Sequence, residues 1–584
     1  MRRLLVFLIL ILMLVSPLAA QQTPIALDPT LLPGRTIFYL AWHGAPSSDV
    51  RHANALMSLW DDPDLAELRN SFVQSGLSDQ KEKTGKPTLT KEELNEYATL
   101  LDNPMIIGYL PRPASLAVES AASTSKAAAP PAWNGGFLIY DRTGKEAVLS
   151  KAVLRIRGSE TELPKLTNLT VAGVQALKIE RKNNVTYWTE NGKYAVAASE
   201  LPVFEEILNR LAGTVKGPSL AESAAYLEAK PLLSGGIVEV FLRISQISET
   251  ASESASSNPQ LKLLIKNLKL DSLHLLAGHL SFEGPRTRIQ GSILGDTSPG
   301  TLFDIWAKGK TNPDAMTFVS ANTVSFNSSE IDFLGIYKVL KQALLQASSD
   351  SPAMVTALES AAQTRLGMSL TEALSLTTGE ISSVQNSPAL DDGQQIRIIG
   401  IHNKPDVLKL LRTIEGDKIT SERNDGTTTY MKVSLSGSQG STGVAQWNFY
   451  HLAITPDFLL GASKSEAINA LLAQSGENPD SRAPKHILNA RSKFPEELNG
   501  FSYFDFQKVD WPAARERWVL QARKDAAKAT DPKDKNSASA SVNNRKFSDW
   551  LATIDPAVFP RHLHSMTGAS WKDAKGVHFD EWIE

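Results

Sequence analysis

Apolar and polar positions along this chain change period from segment to segment. Val50, Ala53, Met57 and Trp60 recur at helical spacing, and so do Phe333, Ile336, Tyr337, Leu340 and Leu344. Short apolar or alternating runs between such stripes predict strands: Met105 to Tyr109, Phe137 to Tyr140, Gly236 to Phe241, Ile381 to Val384, Ile396 to Ile401 and Gly500 to Asp505. Tyr187 to Ser199 predicts a hairpin turning at Asn191-Gly192, a type I′ signal, and Phe449 to Ser463 a second one turning at Pro456-Asp457. Helices are expected near 144–155 and 405–414, and over Leu201 to Ala212 and Ser465 to Gln474. Hairpins and meanders on this scale predict an α+β fold, with mostly antiparallel sheet and helices packed on one face.

The elements recur in one order. Pro33 to Ala41 and Pro313 to Ala321 share a layout that reads as a strand entered through a turn. Ser47-Ser-Asp-Val50 and Ser328-Ser-Glu-Ile331 each place serine and acid before an amphipathic helix, with Ser48 and Ser329 as the expected caps. Asp62-Pro63 opens a helix through Phe72, and Ser351-Pro352 opens one through Leu366. Thr90 to Glu93 and Ser369 to Glu372 are capping boxes. Leu273-His274 to Gly278 matches Leu563-His564 to Gly568. The ordered series predicts an internal duplication, with copies at 30–300 and 301–584.

Arg2 and Arg3 precede an unbroken apolar run of 12 residues, Leu4 to Val15, and Ser16-Pro-Leu-Ala-Ala20 follows. That is the plan of a secretory signal peptide over residues 1–20, cleaved near Ala20. The run falls short of the roughly 20 residues a membrane-spanning helix needs. No later stretch is long and apolar enough to span. The expected location is periplasmic or secreted. The chain has no cysteine, which removes disulfides, thiolate metal sites and a lipid-anchored cysteine, and suits a bacterial envelope. Asn168-Leu-Thr, Asn184-Val-Thr and Asn327-Ser-Ser fit the glycosylation pattern, which carries no weight in a bacterial protein.

With 60 Lys+Arg against 63 Asp+Glu the formal net charge is −3, so no nucleic-acid partner is implied. Four segments rich in small or charged residues, Ala114 to Pro131, Ser248 to Pro259, Ser434 to Gly443 and Ala526 to Asn544, read as surface loops.

Candidate chemistry is sparse. Ser123-Thr-Ser-Lys126 and Lys83-Thr-Gly85 echo penicillin-recognising enzymes, but the order is reversed and the serine lies in a loop. His562-Leu-His564 would alternate on a strand, with His578 and Asp580 on the next, so a zinc shell is conceivable there. Only His274 repeats this in the first copy. The pairs Asp61-Asp62, Glu205-Glu206 and Asp391-Asp392 fit capping and solvation. We therefore expect no catalytic, cofactor or metal site.

Leu31 to Leu40, the Asp62-Pro63 break, Ser369 to Leu374 leading into Thr378-Gly379-Glu380, and the terminal Leu-His pattern together resemble a family of exported bacterial proteins known only as a domain of unknown function. The resemblance implies an envelope location and a repeated α+β fold, and it carries over no catalytic residue. The expected function is non-enzymatic binding or scaffolding of an envelope protein, lipid or polymer. The alternatives are a hydrolase, metal-dependent or otherwise, using the C-terminal histidines, and an apolar-ligand carrier.

Overall fold

The computed structural model describes residues 28–66, 91–111, 135–158, 164–181, 184–215, 217–247, 269–299, 301–305, 309–346, 351–390, 394–434, 450–474, 484–528 and 552–584. The signal segment, the Ser123 and Lys83 motifs, Thr90, and almost all of the four loop segments lie outside the described residues. The chain forms two compact units. The first has the bounds Met1–Thr250, Leu275–Ser292 and Gln521–Val558, and the second Ala251–His274, Ile293–Leu520 and Phe559–Glu584.

The first unit carries β1 (Phe38–Trp42), β2 (Met105–Leu110), β3 (Gly135–Asp141), β4 (Lys165–Val171), β5 (Val174–Arg181), β6 (Asn184–Asn191), β7 (Tyr194–Ala198), β8 (Val238–Arg243), β9 (Leu273–Glu283) and β10 (Arg286–Gly295). Their lateral order is β4-β5-β6-β7-β3-β2-β1-β8-β9-β10. The pairing is antiparallel, as meandering connections require. The helices are α1 (Ser48–Ala53), α2 (Ala55–Asp61), α3 (Lys91–Ala98), α4 (Glu146–Gly158), α5 (Leu201–Leu211) and α6 (Ala224–Leu233).

The second unit carries β11 (Ser325–Glu330), β12 (Thr377–Gln385), β13 (Gln395–Ile401), β14 (Ile419–Asp425), β15 (Thr428–Val433), β16 (His451–Ile454), β17 (Phe458–Ala462), β18 (Gly500–Asp505), β19 (Ser565–Lys572) and β20 (Gly576–Ile583). Their order is β14-β15-β16-β17-β13-β12-β11-β18-β19-β20. Strand for strand, this is the pairing order of the first unit. Its helices include α7 (Phe333–Leu345), α8 (Ser351–Leu366), α9 (Leu370–Ser375), α10 (Lys404–Glu415), α11 (Ser465–Gln474) and α12 (Lys485–Arg491).

In both sheets, alternate residues point to opposite faces. One face of the first sheet buries Tyr39, Ile139, Val196 and Phe241. α5 lies against β7 and β3 on this side, and α6 lies against β8. The matching face of the second sheet buries Phe326, Val384, Ile398, Leu460 and Phe501, together with Ile468 of α11 and Ile487 of α12. Helices also reach the opposite faces, so the expectation of helices on one face only is corrected. Met57 of α2 packs on Leu40, Trp42 and Val238, and Val407 of α10 packs on Ile401 and Ile454.

Several local expectations need correction. Asp314–Phe318 is a 3₁₀ turn, and the strand expected there is β11. Ser328 and Ser329 lie within β11, and Asp332 caps α7 by accepting from Gly335 N. Ser47, not Ser48, caps α1. The turn of the first hairpin is Gly192-Lys193, since Asn191 pairs with Tyr194. Gly192 has φ 54 and Lys193 has negative φ, which is the type II′ arrangement rather than I′. Asp62-Pro63 opens a 3₁₀ turn, Pro63–Leu65, and the rest of that expected helix lies outside the described residues.

The stripe from Val50 to Trp60 is two helices broken at Asn54. Asn54 has ψ 129, ends α1 and caps α2, accepting from Met57 N at 3.1 Å. Its Oδ1 also accepts from Thr287 Oγ1 at 3.0 Å, and both residues are fully buried. Asn54→Ala removes a cap and orphans a buried hydroxyl, so the urea midpoint should fall by the equivalent of about 1–3 kcal/mol.

Candidate functional site

The C-terminal histidines do not gather into the zinc shell weighed as an alternative. His562 ends a short helix, Val558–His562, and His564 precedes β19, so the two do not alternate on a strand. His564 N donates to Glu584 O at one end of the β19–β20 hairpin, and its Nδ1 lies 3.2 Å from Gln507 Nε2. His578 lies toward the other end, opposite Trp571 and stacked on its ring. Its Nε2 meets Asp573 Oδ1 at 2.9 Å, and the same oxygen accepts from Lys575 N and Gly576 N. Burial works against the Asp573 carboxylate, yet these partners hold its pKa below the usual value. His578 thus fastens the hairpin turn. Among the described residues, no three His, Asp or Glu side chains gather as a metal-binding group.

The acidic pairs behave as caps and ion-pair partners. Asp62 accepts from Asp64 N, Asp61 pairs with Arg51, and Glu206 pairs with Arg35. Asp391-Asp392 lies outside the described residues.

The sequence reading missed a buried cluster in the second unit. Glu380 of β12 is 0% exposed. Its carboxylate accepts from Asp314 N and Ala315 N, both at 2.9 Å, and from Ser382 Oγ at 2.9 Å and Ser328 Oγ at 3.3 Å. Lys310 lies 2.9 Å from Glu330, 2.8 Å from Asp314 and 3.6 Å from Glu380. Burial works against the Lys310 ammonium, but hydrogen bonds to Asp314 and Glu330 hold its pKa above the ordinary lysine value. Burial pushes the Glu330 carboxyl up, and Lys310 offsets part of that. Gly379 permits the approach: at φ 94, a Cβ there would meet Ile331 O at 2.6 Å. A carboxylate whose acceptor sites are filled by fixed donors is a fastener for the 3₁₀ turn. The available signal was Glu380 itself, an acid on the same parity as Val384.

The first unit buries a different polar group. Tyr39 donates to Glu239 at 3.0 Å, and His43 Nε2 lies 2.9 Å from the other oxygen of that carboxylate. Burial, with Glu239 beside it, pushes the Tyr39 phenol far above its ordinary value, and burial raises Tyr226 to about 12. Both hydroxyls stay protonated, and that of Tyr39 serves as a donor.

Beyond the parts that α2 and α10 cover, the face of each sheet opposite the main core carries exposed positions among the described residues. In the first unit, Leu138, Ile107, Leu40, Val240 and Gly278 form one row across β3, β2, β1, β8 and β9. The next row is Gly136, Tyr109, Phe38, Leu242 and Leu276. Ile107 is 42% exposed and Tyr109 38%. Phe38, Leu138, Leu242 and Leu276 are half-buried beside them. The Tyr109 ring lies over Gly136, where a Cβ would sit 3.2 Å from it, and 6.0 Å from the Phe38 ring. In the second unit, the corresponding strands carry the row Arg397, Ser383, Asn327, Ser502, Gly568, extended by Glu581 of β20. Asn327 is exposed, on the strand at the middle of that run. That row is polar, while the rows beside it on the same face carry Ile399, Ile381 and Phe579, and Phe504, Met566 and Ile583, at half-buried positions. The first unit's row pair presents Ile107 and Tyr109 to solvent, with half-buried aromatic and aliphatic side chains beside them.

No protein-family model, no curated protein and no solved structure matches this chain.

The Glu380 cluster makes a stability prediction. Glu380→Ala strands two backbone N–H groups and leaves Lys310 and Glu330 without their neighbour, at an expected loss of about 3–5 kcal/mol in chemical denaturation. Glu380→Gln keeps an acceptor oxygen and should lose about 1–3 kcal/mol.

Proposed function

We propose that the chain is an exported, non-enzymatic protein of the bacterial envelope that binds or scaffolds a partner through the outer faces of its sheets. The observation that carries this reading is the solvent-facing apolar patch of Phe38, Ile107, Tyr109, Leu138 and Leu242. Five such side chains around one spot would offer a partner apolar area worth about 25 cal/mol for each Å² covered. The buried Glu380 and the exposed Asp573 support it too, since both are engaged in holding turns. The Arg2/Arg3 start and the apolar run support export, in keeping with the exported family that the sequence resembles.

Two experiments test this reading. Pull-down from the envelope fraction, with mass spectrometry of proteins and lipids, should recover a partner that the Ile107→Lys/Tyr109→Lys variant loses while its circular dichroism is unchanged. Equal capture by both proteins would refute the assignment of the face. N-terminal sequencing of protein from the native host should begin at Gln21, whereas intact Met1 in a carbonate-resistant membrane fraction would make Leu4 to Val15 an anchor.

A further inference from the structure

β4 ends one side of the first sheet, and among the described residues it pairs with β5 alone. The β4–β5 hairpin turns through two residues, Ala172 (φ 51) and Gly173 (φ 76), which join Val171 to its partner Val174. A two-residue turn of this kind closes on a hydrogen-bonded pair, and such pairs recur at every second residue. Val171, Leu169, Thr167 and Lys165 therefore turn their N–H and C=O groups to β5. Those of Leu166, Asn168 and Thr170 turn outward. All three residues are exposed, Leu166 at 48%. From Leu166 to Val171 the strand has no charge, proline or glycine, and its pairing with β5 contains no bulge. Edges of this kind are what natural sheets normally guard against.

The second unit supplies the comparison. β14 occupies the same place in its sheet, and among the described residues it pairs with β15 alone. It carries Glu422, Arg423 and Asp425, and its register shifts between Ile419 and Ser421. Charge and a bulge are both standard edge protection. Two-fold pairing of β14 with its own copy would set Arg423 or Glu422 against itself.

We propose that the β4 edge pairs antiparallel with the β4 edge of a second copy, two-fold symmetric about Asn168. This register sets Asn168 opposite Asn168 and Leu166 opposite Thr170, so every outward N–H and C=O meets a partner, in about six hydrogen bonds. Thr167 falls opposite Leu169, and Lys165 opposite Val171, so no like charges face each other. The occupant is a second copy because the segment is self-complementary under this rotation. The contact is small and belongs to the transient class.

The absence of cysteine makes the test direct. Light scattering of the purified full chain at about 10–100 μM, a range suited to a small interface, should show a dimer. Asn168→Lys should return it to monomer, with dissociation at least about tenfold easier and the thermal melt unchanged, because two lysines would then face each other. Asn168→Cys should form a disulfide-linked dimer under mild oxidant, since directly opposed residues lie about 4.5–5.5 Å apart at Cα. Glu422→Cys on β14 should stay monomeric under the same conditions. A wild-type chain that stays monomeric over this range overturns the proposal, as does a dimer that survives Asn168→Lys or fails to cross-link through Asn168→Cys. Recruitment of another protein's strand to a monomeric chain would also overturn it.

Discussion

An antiparallel strand has two faces, and the parity of a residue decides which one it joins. This constraint governs both sheets. Tyr39 goes into the helix-covered core while Phe38 faces out, and Phe326 goes in while Asn327 faces out. Since the inner parity must fill the space under α5 and α6, or under α11 and α12, its residues are large and apolar. The outer parity is freed from that demand wherever no helix covers it. The same strand order can therefore carry an aromatic and aliphatic outer patch in one unit and a row of serine, asparagine and arginine in the other.

Polar residues on the inner parity must be satisfied within the protein, because burying an unmatched group is costly. Glu380 meets this by drawing in the first N–H groups of the 3₁₀ turn at Asp314. Arg491, also buried, donates to the carbonyls of Thr311, Pro495 and Glu496, and burial lowers its pKa. In each case a connection between elements is pinned by one charged side chain. Both groups act at fixed geometry, which suits holding a surface in shape more than exchanging protons with a ligand.

Signals contained within a few residues were legible. The Ser369–Glu372 capping box forms as read, and α8 spans Ser351 to Leu366. The hairpins near 187–199 and 449–463 occupy equivalent places in the two pairing orders. Signals that depend on distant partners were not. The segment after Pro313 has strand-like composition, but Glu380 supplies acceptors that favour a turn. The break at Asn54 depends on Thr287, far along the chain. Ser329 resembles a cap but has its backbone paired with Ile381 and Gly500 on either side. His562 and His564 have strand spacing, yet the chain reaches β19 only at Ser565. The open apolar patch was illegible for a related reason: alternation shows that Ile107 and Tyr109 share a face, but not that both stay exposed among the described residues.

The place of β1 in its sheet bears on how the chain acquires its fold. β1 is among the first strands made, yet it lies between β2 and β8, with Phe38 set against Leu242. β11 is placed the same way, with Ser325 set against Phe504. Neither sheet can close its middle until most of its unit has been synthesised. Topologies dominated by such distant contacts fold slowly, because the chain entropy of closing long loops is lost before the pairing repays it. In a nascent unit the early strands thus wait for their late partners, with one edge of β1 or β11 unpaired until the chain has passed β8 or β18.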